Sequence, residues 1–359
     1  MKRILVVHTG GGLGDLLLST PLLDALRGAW PAAEIDVLAR SGPASVLDGH
    51  PAIHDLLRLP QAVPGPGEFP GWVARLRRRR YQAGLVLWSR TALAWMLFLA
   101  GIPIRVGQDS RLSYSWLYTH KVRIRSEHGD TSSHWTEILL DYVRALGVKP
   151  EEFGPVRPRF LVPEEARNRA EELLSGLPPG DGPVVGLHPS KGLPLPPGRW
   201  PVEVFAGWAR ALHRDLKARL VLTGGPDEVE LVGTVARLAE VESLNLAGRT
   251  DLATLAAVTS RCEVFVCPDS GPMHLAAAMG VPTVGVYALD EDFPQRWAPL
   301  APARRILRPA RKSCPTGCRK ATCPDFHCYH AVLPEEVVEA VAELLGSHQR
   351  PVPGAPSSP

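Results

Sequence analysis

The sequence has no apolar run long enough to cross a bilayer and very little net charge. Its longest apolar stretch near the middle, Thr91 to Ile104, is shorter than the roughly 20 residues that a membrane-spanning helix needs. The net charge of +3 is small for a nucleic-acid-binding protein. Met1-Lys2-Arg3 leads directly into a strand pattern, without a signal peptide, so we expect a cytoplasmic protein.

Cysteine is also scarce, and four of the six cysteines are clustered. Cys262 and Cys267 flank or lie in a predicted strand and are expected to be buried, inert thiols. In a reducing cytoplasm, four close cysteines favour a metal site over disulfides. We expect a structural zinc or iron, because four thiolates fill a tetrahedral metal. Two disulfides or free thiols are the alternatives. The predicted ligands are Cys314, Cys318, Cys323 and Cys328.

Positive charge is concentrated in one predicted helix, Trp72 to Tyr81. It carries Arg75 and the run from Arg77 to Arg80. Such a run is most often a solvated helix face. The alternative is a surface that attracts an anionic acceptor or an anionic membrane.

The length indicates two domains, because 359 residues exceed one typical hydrophobic core. Hydrophobic residues make up 45% and charged residues 21%, which is typical of a globular protein. We expect a first domain at 1–155, a linker and helix at 156–182, a second domain at 183–332 with the Cys-rich loop 314–328, a C-terminal helix at 333–347 and a disordered tail at 348–359.

The stretch from Glu263 to Tyr287 predicts a strand, a tight loop, a helix and a second strand. Parallel strand–helix–strand units place such loops at the carboxyl edge of the sheet, where open α/β sheets bind ligands. The loop, Asp269-Ser270-Gly271, precedes a helix N-terminus and would suit a phosphate. His274, in the first helical turn, would add a donor. The alternative is that Asp269 and Ser270 only cap the helix.

A glycine loop follows the first predicted strand, Arg3 to His8, but lacks the last glycine of a dinucleotide fingerprint. Asp15 occupies that position, and a carboxylate there would repel a pyrophosphate. We therefore expect a loop in which the backbone lies close to a ligand and Asp15 points at it. The alternative is that Asp15 only complements the helix dipole.

Strands and helices alternate in both halves of the chain, which predicts two doubly wound α/β sheets. In the first half, Pro21 predicts a kink or break in the first helix. The segment from Gln108 to Ser133 is polar and aromatic, with little helical pattern. Together with the loop Pro60 to Pro70, it is expected to contact the substrate.

Two motifs carry a family resemblance: GGLGDLLLSTPLL, from Gly11 to Leu23, and PDSGPMHLAAAMGVPTVGVY, from Pro268 to Tyr287. With HPS, Arg199-Trp200-Pro201, LTGGPDE and NLAGRTDL in the same order, the chain resembles the ADP-heptose:lipopolysaccharide heptosyltransferases of glycosyltransferase family 9 from about Met1 to Leu345. The resemblance implies a GT-B fold, with two Rossmann-like doubly wound domains facing across a cleft. It also implies that the N-terminal domain binds the acceptor, that the C-terminal domain binds the nucleotide sugar, and that transfer proceeds with inversion and without a catalytic metal.

The resemblance also assigns residues. Asp15 would be the general base, and Asp269 would face the sugar hydroxyls. Arg199, Ser270, Gly271 and His274 would bind the phosphates, and Leu246, Ala247 and Gly248 would line the adenine. Two further expectations come from position after a strand: Ser190 and Lys191 as additional phosphate ligands, and Glu228, after a glycine turn, as the ribose ligand, with Asp227 or Glu230 as the alternative.

The expected function is transfer of heptose from ADP-heptose to a lipopolysaccharide-type or related glycan acceptor. The alternatives are a GT-B transferase that uses another nucleotide sugar and an inactive nucleotide-binding homologue. The expected partners are the sugar donor and a glycolipid or glycan, not nucleic acid. The enzyme would act in the cytoplasm, either free or at the inner face of the membrane.

Overall fold

A computed structural model describes residues 1–154, 156–191, 199–289, 292–309, 323 and 326–348. The chain divides into two compact units. Unit 1 comprises Met1–Leu161 with Gln295–Trp297, and unit 2 comprises Val162–Pro294 with the chain from Ala298 onward. The predicted tail beyond His348 and the cysteines Cys314 and Cys318 lie outside the described residues.

Unit 1 alternates short apolar strands with helices. Its strands are β1 (Arg3–His8), β2 (Glu34–Arg40), β3 (Asp55–Leu59), β4 (Ala83–Val86), β5 (Ile104–Gln108) and β6 (His120–Val122). Its helices are α1 (Leu13–Leu17), α2 (Thr20–Ala29), α3 (Phe69–Arg79), α4 (Thr91–Leu99) and α5 (Trp135–Arg144).

The strands of unit 1 form one parallel sheet in the order β3-β2-β1-β4-β5-β6. β1 pairs with β2 and β4, with Val7 opposite Leu38 and Val86. The chain leaves β1 toward β3 and returns to β4, so the loops after β1 and β4 are neighbours at the carboxyl edge. In doubly wound sheets this reversal of strand order is where ligands bind.

Two features of unit 1 bear on what the sequence predicted. The predicted first helix is broken, as Pro21 indicates: α1 ends at Leu17 and α2 begins at Thr20. The segment Gln108 to Ser133, for which no strand was predicted, contains β6, which pairs with Val106, Gly107 and Gln108 of β5. β6 has only three residues and gains its backbone partners from β5, so its own side-chain pattern carries little signal.

Unit 2 repeats the alternation of strand and helix. Its strands are β7 (Val184–Leu187), β8 (Arg219–Leu222), β9 (Ser243–Asn245), β10 (Val264–Pro268), β11 (Thr283–Val286) and β12 (Arg304–Leu307). The helices grouped with it are α6 (Glu164–Leu174), α7 (Val202–Leu216), α8 (Val229–Ala239), α9 (Leu252–Thr259), α10 (Gly271–Ala278), α11 (Pro294–Trp297), whose last three residues group with unit 1, and α12 (Pro334–His348).

The strands of unit 2 form a second parallel sheet in the order β12-β11-β10-β7-β8-β9. Strand order reverses between β7 and β10, so the loops after these two strands are neighbours. A core of aromatic rings lies under this sheet, where Trp200 and Phe205 stack with centroids 5.5 Å apart. The two sheets confirm the predicted class of two doubly wound α/β domains.

No helix in the described part of the chain is both long enough and apolar enough to cross a membrane. α4 is apolar along most of its nine residues but buries Leu93, Ala94, Met96 and Leu97 in the core of unit 1.

Candidate functional site

A pocket of about 260 Å³ lies in unit 2 where strand order reverses. The loops after β7, β8 and β10 and the start of α9 form its walls. Pockets that bury a whole drug-sized ligand measure roughly 300–1,000 Å³, so this volume fits only part of a nucleotide sugar. Its lining residues are His188, Lys191, Gly224, Gly225, Glu228, Thr250, Asp251, Leu252, Leu255, Ser270, Gly271 and Pro272.

Lys191 is held in the pocket wall by two carboxylates. Its Nζ donates to Asp292 Oδ1 at 2.8 Å and lies 3.6 Å from Asp269 Oδ2. The side chain of Lys191 is 3% exposed and that of Asp292 is fully buried. The amide of Leu289 also donates to Asp292 Oδ2 at 3.0 Å, and Arg308 Nη1 donates to the Asp292 carbonyl at 2.9 Å. Asp292 therefore fixes the position of the ammonium group.

Both carboxylate oxygens of Glu228 accept hydrogen bonds from neighbouring loop residues. Its Oε2 accepts from the amide of Gly225 at 2.7 Å, and its Oε1 accepts from the hydroxyl of Ser190. His188 Nε2 lies 3.8 Å from Glu228 Oε2, and His188 Nδ1 contacts Thr223 Oγ1 at 3.1 Å. Burial lowers the pKa of His188, while the charge of Glu228 opposes that shift. The loops after β7 and β8 are thus joined by polar contacts under the pocket.

The loop after β10 presents Ser270 and Gly271 to the pocket. Ser270 is the N-cap of α10, but its side chain makes no capping hydrogen bond and its Oγ lies 3.1 Å from Cys267 Sγ. Ser270 therefore does not cap α10 through its side chain. As predicted, Cys262 and Cys267 are buried, and burial raises the pKa of the Cys262 thiol to about 12.

The other predicted donor-site residues do not line this pocket. Leu246 is fully buried against α6 and α9, and Gly248 has a φ of +70° with its amide bonded to the Gly224 carbonyl at 3.0 Å. His274 is buried in α10, where burial lowers its pKa to about 4 and its Nδ1 has no hydrogen-bond partner among the described residues. Arg199 is half-buried, eight residues after Lys191.

Sequence reasoning gave no role to several pocket residues. His188, Gly224 and Gly225 were visible as strand-end and turn residues. Asp251 caps α9 by accepting from the Thr254 amide at 2.7 Å, which its position before an apolar helix could have indicated. Asp292 carries no such signal, because it lies 101 residues from Lys191 along the chain.

In unit 1, Asp15 folds back over the glycine loop. Its Oδ2 accepts from the amide of Gly12 at 2.8 Å, so Asp15 caps α1. Gly11 has a φ of +70°, and a Cβ there would lie 2.4 Å from Asp15 Cγ. A Cβ on Gly10 would lie 2.2 Å from the Trp88 ring. These two glycines allow Asp15 and Trp88 to pack against the loop.

Trp88 also lines a pocket of about 470 Å³ in unit 1, which begins beside the glycine loop. The predicted substrate segment contributes Gln108, Arg111, Tyr114, Ile124, Ser126 and Glu127, whereas no residue of Pro60 to Pro70 lines it. The remaining lining residues are Leu87, Ser89, Arg90, Thr91, Trp135, Ile138, Leu139 and Tyr142.

A bidentate ion pair lies on the polar side of this pocket. Arg111 Nη2 donates to Glu127 Oε1 at 2.7 Å, and Nη1 donates to Oε2 at 3.3 Å. Trp135 and Tyr142 of α5 form the aromatic side. Aromatic faces with a few oriented polar groups are typical of small-molecule binding sites.

Of the four predicted metal ligands, only Cys323 and Cys328 are described. The amide of Phe326 donates to Cys323 Sγ at 3.3 Å, and Cys328 Sγ lies 3.7 Å from the Phe326 carbonyl oxygen. Within the described ranges, no group of three or more His, Cys, Asp or Glu side chains is arranged to hold a metal.

Comparisons with known proteins agree with this architecture. Lipopolysaccharide heptosyltransferase 2 of Escherichia coli is 27% identical over 356 residues, which is 96% of this chain and 98% of that protein. The solved structure of a glycosyl transferase family 9 protein from Veillonella parvula has a TM-score of 0.78 and 25% identity, covering 96% of this chain and 97% of its own. That of E. coli ADP-heptose lps heptosyltransferase II has a TM-score of 0.76 and 23% identity, covering 98% and 100%.

A family profile settles the classification. The profile of glycosyltransferase family 9 (heptosyltransferase) matches residues 72–328, well over half of the chain. This range includes the Trp88 pocket of unit 1 and the β7–β10 pocket of unit 2. The chain belongs to glycosyltransferase family 9, the heptosyltransferase family.

Proposed function

We propose that this glycosyltransferase moves heptose from ADP-heptose to a lipopolysaccharide-type glycan, with inversion at the anomeric carbon. The observation that carries the proposal is the pocket at the β7–β10 reversal, where Lys191, Ser270, Gly271 and Glu228 converge. A cation and backbone amides suit a diphosphate, and a carboxylate suits ribose hydroxyls. The name of the E. coli relative, lipopolysaccharide heptosyltransferase 2, supports the choice of sugar and acceptor.

In this proposal Lys191 binds a donor phosphate. Because two carboxylates, Asp292 and Asp269, already lie within 3.6 Å of its ammonium group, we expect a second cation to assist when the diphosphate departs. Arg199 is the candidate, and Ser190, His274 and Asp269 complete the donor set near the loops after β7 and β10. Leu246 would support the adenine from beneath, and Gly248 would shape the backbone beside it. Preorganised positive groups at a leaving group commonly lower the barrier by several kcal/mol.

Asp15 is the proposed general base. Its carboxylate would accept the proton of the acceptor hydroxyl as the new glycosidic bond forms and the bond to ADP breaks. The acceptor would occupy the Trp88 pocket of unit 1, which begins beside the Asp15 loop. General-base catalysis of this kind contributes roughly 10²- to 10⁴-fold to the rate.

We also propose that Cys314, Cys318, Cys323 and Cys328 hold a structural zinc or iron. The amide that donates to Cys323 Sγ supports this assignment, because thiolate ligands commonly accept such bonds. Four thiolates leave no open coordination position, so the metal would hold its loop and take no part in transfer. Elemental analysis of the purified protein, with Cys323→Ser as the comparison, tests it. Equal metal content in both proteins would refute it.

Calorimetric titration with ADP, GDP and UDP tests the donor assignment. We expect selective binding of ADP, weakened roughly tenfold or more in Lys191→Met because a charged hydrogen bond is lost. Lys149→Met is the control, since Lys149 is exposed in unit 1 and lines neither pocket. Preference for GDP or UDP would favour the alternative of another nucleotide sugar. ADP binding without turnover would favour the inactive homologue.

A further inference from the structure

A basic and aromatic surface lies on α3 and α4 of unit 1, outside both pockets. The stretch 69–108 contains no acidic residue and no lysine. Its charge comes only from arginines, and Arg79 alone among those of α3 is paired with carboxylates, Asp36 and Asp55. We name the following set the α3–α4 surface: Arg75, Arg77, Arg78, Arg80, Trp95, Phe98, Leu99, Leu112 and Trp116.

The apolar members of this surface are unusually exposed. Leu112 is 98% exposed, Trp116 57%, Phe98 42% and Leu99 41%. Ring contacts join two of them through Trp95, which meets Phe98 edge-on at 5.7 Å and Trp116 edge-on at 5.6 Å. A cluster of exposed large apolar residues usually marks an interaction site.

An arginine of α3 contacts the apolar end of α4. Arg77 donates from Nη2 to the carbonyl of Leu99, which joins the end of α3 to the end of α4. Within the described part of the chain, no carboxylate lies within ion-pair distance of Arg75, Arg77, Arg78 or Arg80. The surface therefore presents uncompensated positive charge beside tryptophan and leucine.

We infer that the α3–α4 surface docks the protein onto an anionic phospholipid bilayer. Arginines attract the negative headgroups, while tryptophan, phenylalanine and leucine insert at the level of the headgroups. A second copy of the chain is a poorer occupant, because its arginines would face those of the first. The inference rests on the proposed function only in taking the acceptor to be a lipid-linked glycan.

The position of the surface fits such an acceptor. The segment from Arg111 to Trp116 serves both sites: Arg111 and Tyr114 line the Trp88 pocket, whereas Leu112 and Trp116 project to solvent. Thr91, the first residue of α4, lines the same pocket. A glycan whose lipid stays in the bilayer would thus enter a pocket adjacent to the docked surface.

Vesicle co-sedimentation of the full chain tests the inference. We expect binding to phosphatidylcholine vesicles that contain phosphatidylglycerol, weak binding to phosphatidylcholine alone, and release by high salt. Arg75→Glu/Arg78→Glu and Leu112→Ser/Trp116→Ser should each reduce binding roughly tenfold or more. All four positions are exposed, so the variants should fold.

Matched changes elsewhere serve as controls. Arg167→Glu/Arg237→Glu makes the same charge change in unit 2, and Leu238→Ser/Leu333→Ser removes leucines that are 43% and 53% exposed. Both should bind vesicles like the unaltered protein. Absence of vesicle binding, or equal losses in test and control variants, would overturn the inference. A dimer that Leu112→Ser/Trp116→Ser dissociates, without any vesicle binding, would overturn it in favour of self-association.

Two further readouts separate this inference from the proposed function. ADP binding and transfer to a water-soluble, delipidated acceptor should be unchanged in both test variants, because neither pocket is altered. Normal nucleotide binding without vesicle binding would refute the docking surface alone. Vesicle binding without ADP binding would refute the donor proposal alone.

Discussion

Units 1 and 2 have the same sheet topology but use the reversal of strand order differently. In unit 2 the loops at the reversal are joined by charge, because Lys191 after β7 lies 3.6 Å from Asp269 after β10 and also donates to the buried Asp292 after β11 at 2.8 Å. In unit 1 the corresponding loops meet by steric fit, with Gly10 of the first loop against Trp88 of the second, and Gly11 packs against Asp15 within the first loop. A charged site suits a diphosphate, and a small-residue loop beside an aromatic wall suits a neutral sugar face. We therefore propose that the same fold binds two kinds of ligand through its loops.

The most severe test of unit 1 is Asp15→Asn. The amide side chain can still accept the hydrogen bond from Gly12, but it cannot take a proton. Turnover should fall roughly 10²- to 10⁴-fold, with ADP affinity nearly unchanged. Asp15→Ala, which also removes the cap, should lose about 1 kcal/mol of stability in addition. Activity of Asp15→Asn near that of the unaltered protein would leave Asp15 only its capping role.

In unit 2 the matching test is Asp292→Ala, which leaves the buried Lys191 without its nearest carboxylate. We expect a loss of about 3–5 kcal/mol in the free energy of unfolding, measured by urea denaturation. Lys191→Met/Asp292→Leu should recover most of that stability but not ADP affinity. Recovery of both would mean that Lys191 does not bind the donor.

The dependence of the unfolding free energy on pH tests one buried histidine in each unit. Burial lowers the pKa values of His8 and His274 from 6.5 to about 4. Between those values the unfolded chain binds protons that the native chain does not, so stability falls as the pH falls from about 6.5 to about 4. Each histidine accounts for up to about 3 kcal/mol of that loss. His8→Leu and His274→Leu should each flatten the curve of unfolding free energy against pH. An unaltered slope in both would contradict the burial effect.

One added methyl group should disrupt the close packing of Gly10 against Trp88 in unit 1. Gly10→Ala should cost about 1–3 kcal/mol in thermal or urea denaturation, because its Cβ would overlap the Trp88 ring. The control is Gly12→Ala, whose Cβ would have its nearest neighbour, Asp15 Oδ2, at 3.9 Å. Gly10→Ala/Trp88→Leu should recover stability. Equal losses in the two single variants would show that backbone conformation, not Trp88, requires the glycine.

The smallest expected effect concerns the polar side of the unit 1 pocket. Arg111→Gln removes an exposed ion pair, so stability should change by no more than about 1 kcal/mol. If the pocket binds the acceptor, the KM for the acceptor should rise roughly tenfold while ADP affinity stays constant. Arg123→Gln is the matched control, since Arg123 is exposed and does not line the pocket. Equal effects of both changes would argue against the acceptor assignment.

The sequence predicted the elements whose signals are local. Glycine and proline residues at their ends marked β1, β10 and α10. Pro21 indicated the break between α1 and α2. β6 was missed because three residues take their strand geometry from pairing with β5. Among the proposed donor-site residues, Lys191, Glu228, Ser270 and Gly271 come from loops after strands, and the structure brings these four to one pocket.

Long-range partners could not be predicted in the same way. Asp292 follows Asp290 and Glu291, and nothing in this acidic run distinguishes the residue that meets Lys191. The role of Trp88 depends on the close approach of Gly10, which only the packing of two loops creates. The resemblance assigned Leu246 to the adenine, and its complete burial among the side chains of α6 and α9 could not be foreseen from its local sequence; the assignment stays a prediction.

Acceptor-dependent release of ADP from ADP-heptose is the most direct test of the central claim. The purified protein would be mixed with ADP-heptose and a lipopolysaccharide-core acceptor, and the anomeric configuration of the product would be read by NMR. We predict ADP release that requires the acceptor, an inverted product, and loss of both in Asp15→Asn. ADP-heptose that binds but stays intact with the acceptor, or a product with retained configuration, would contradict the account.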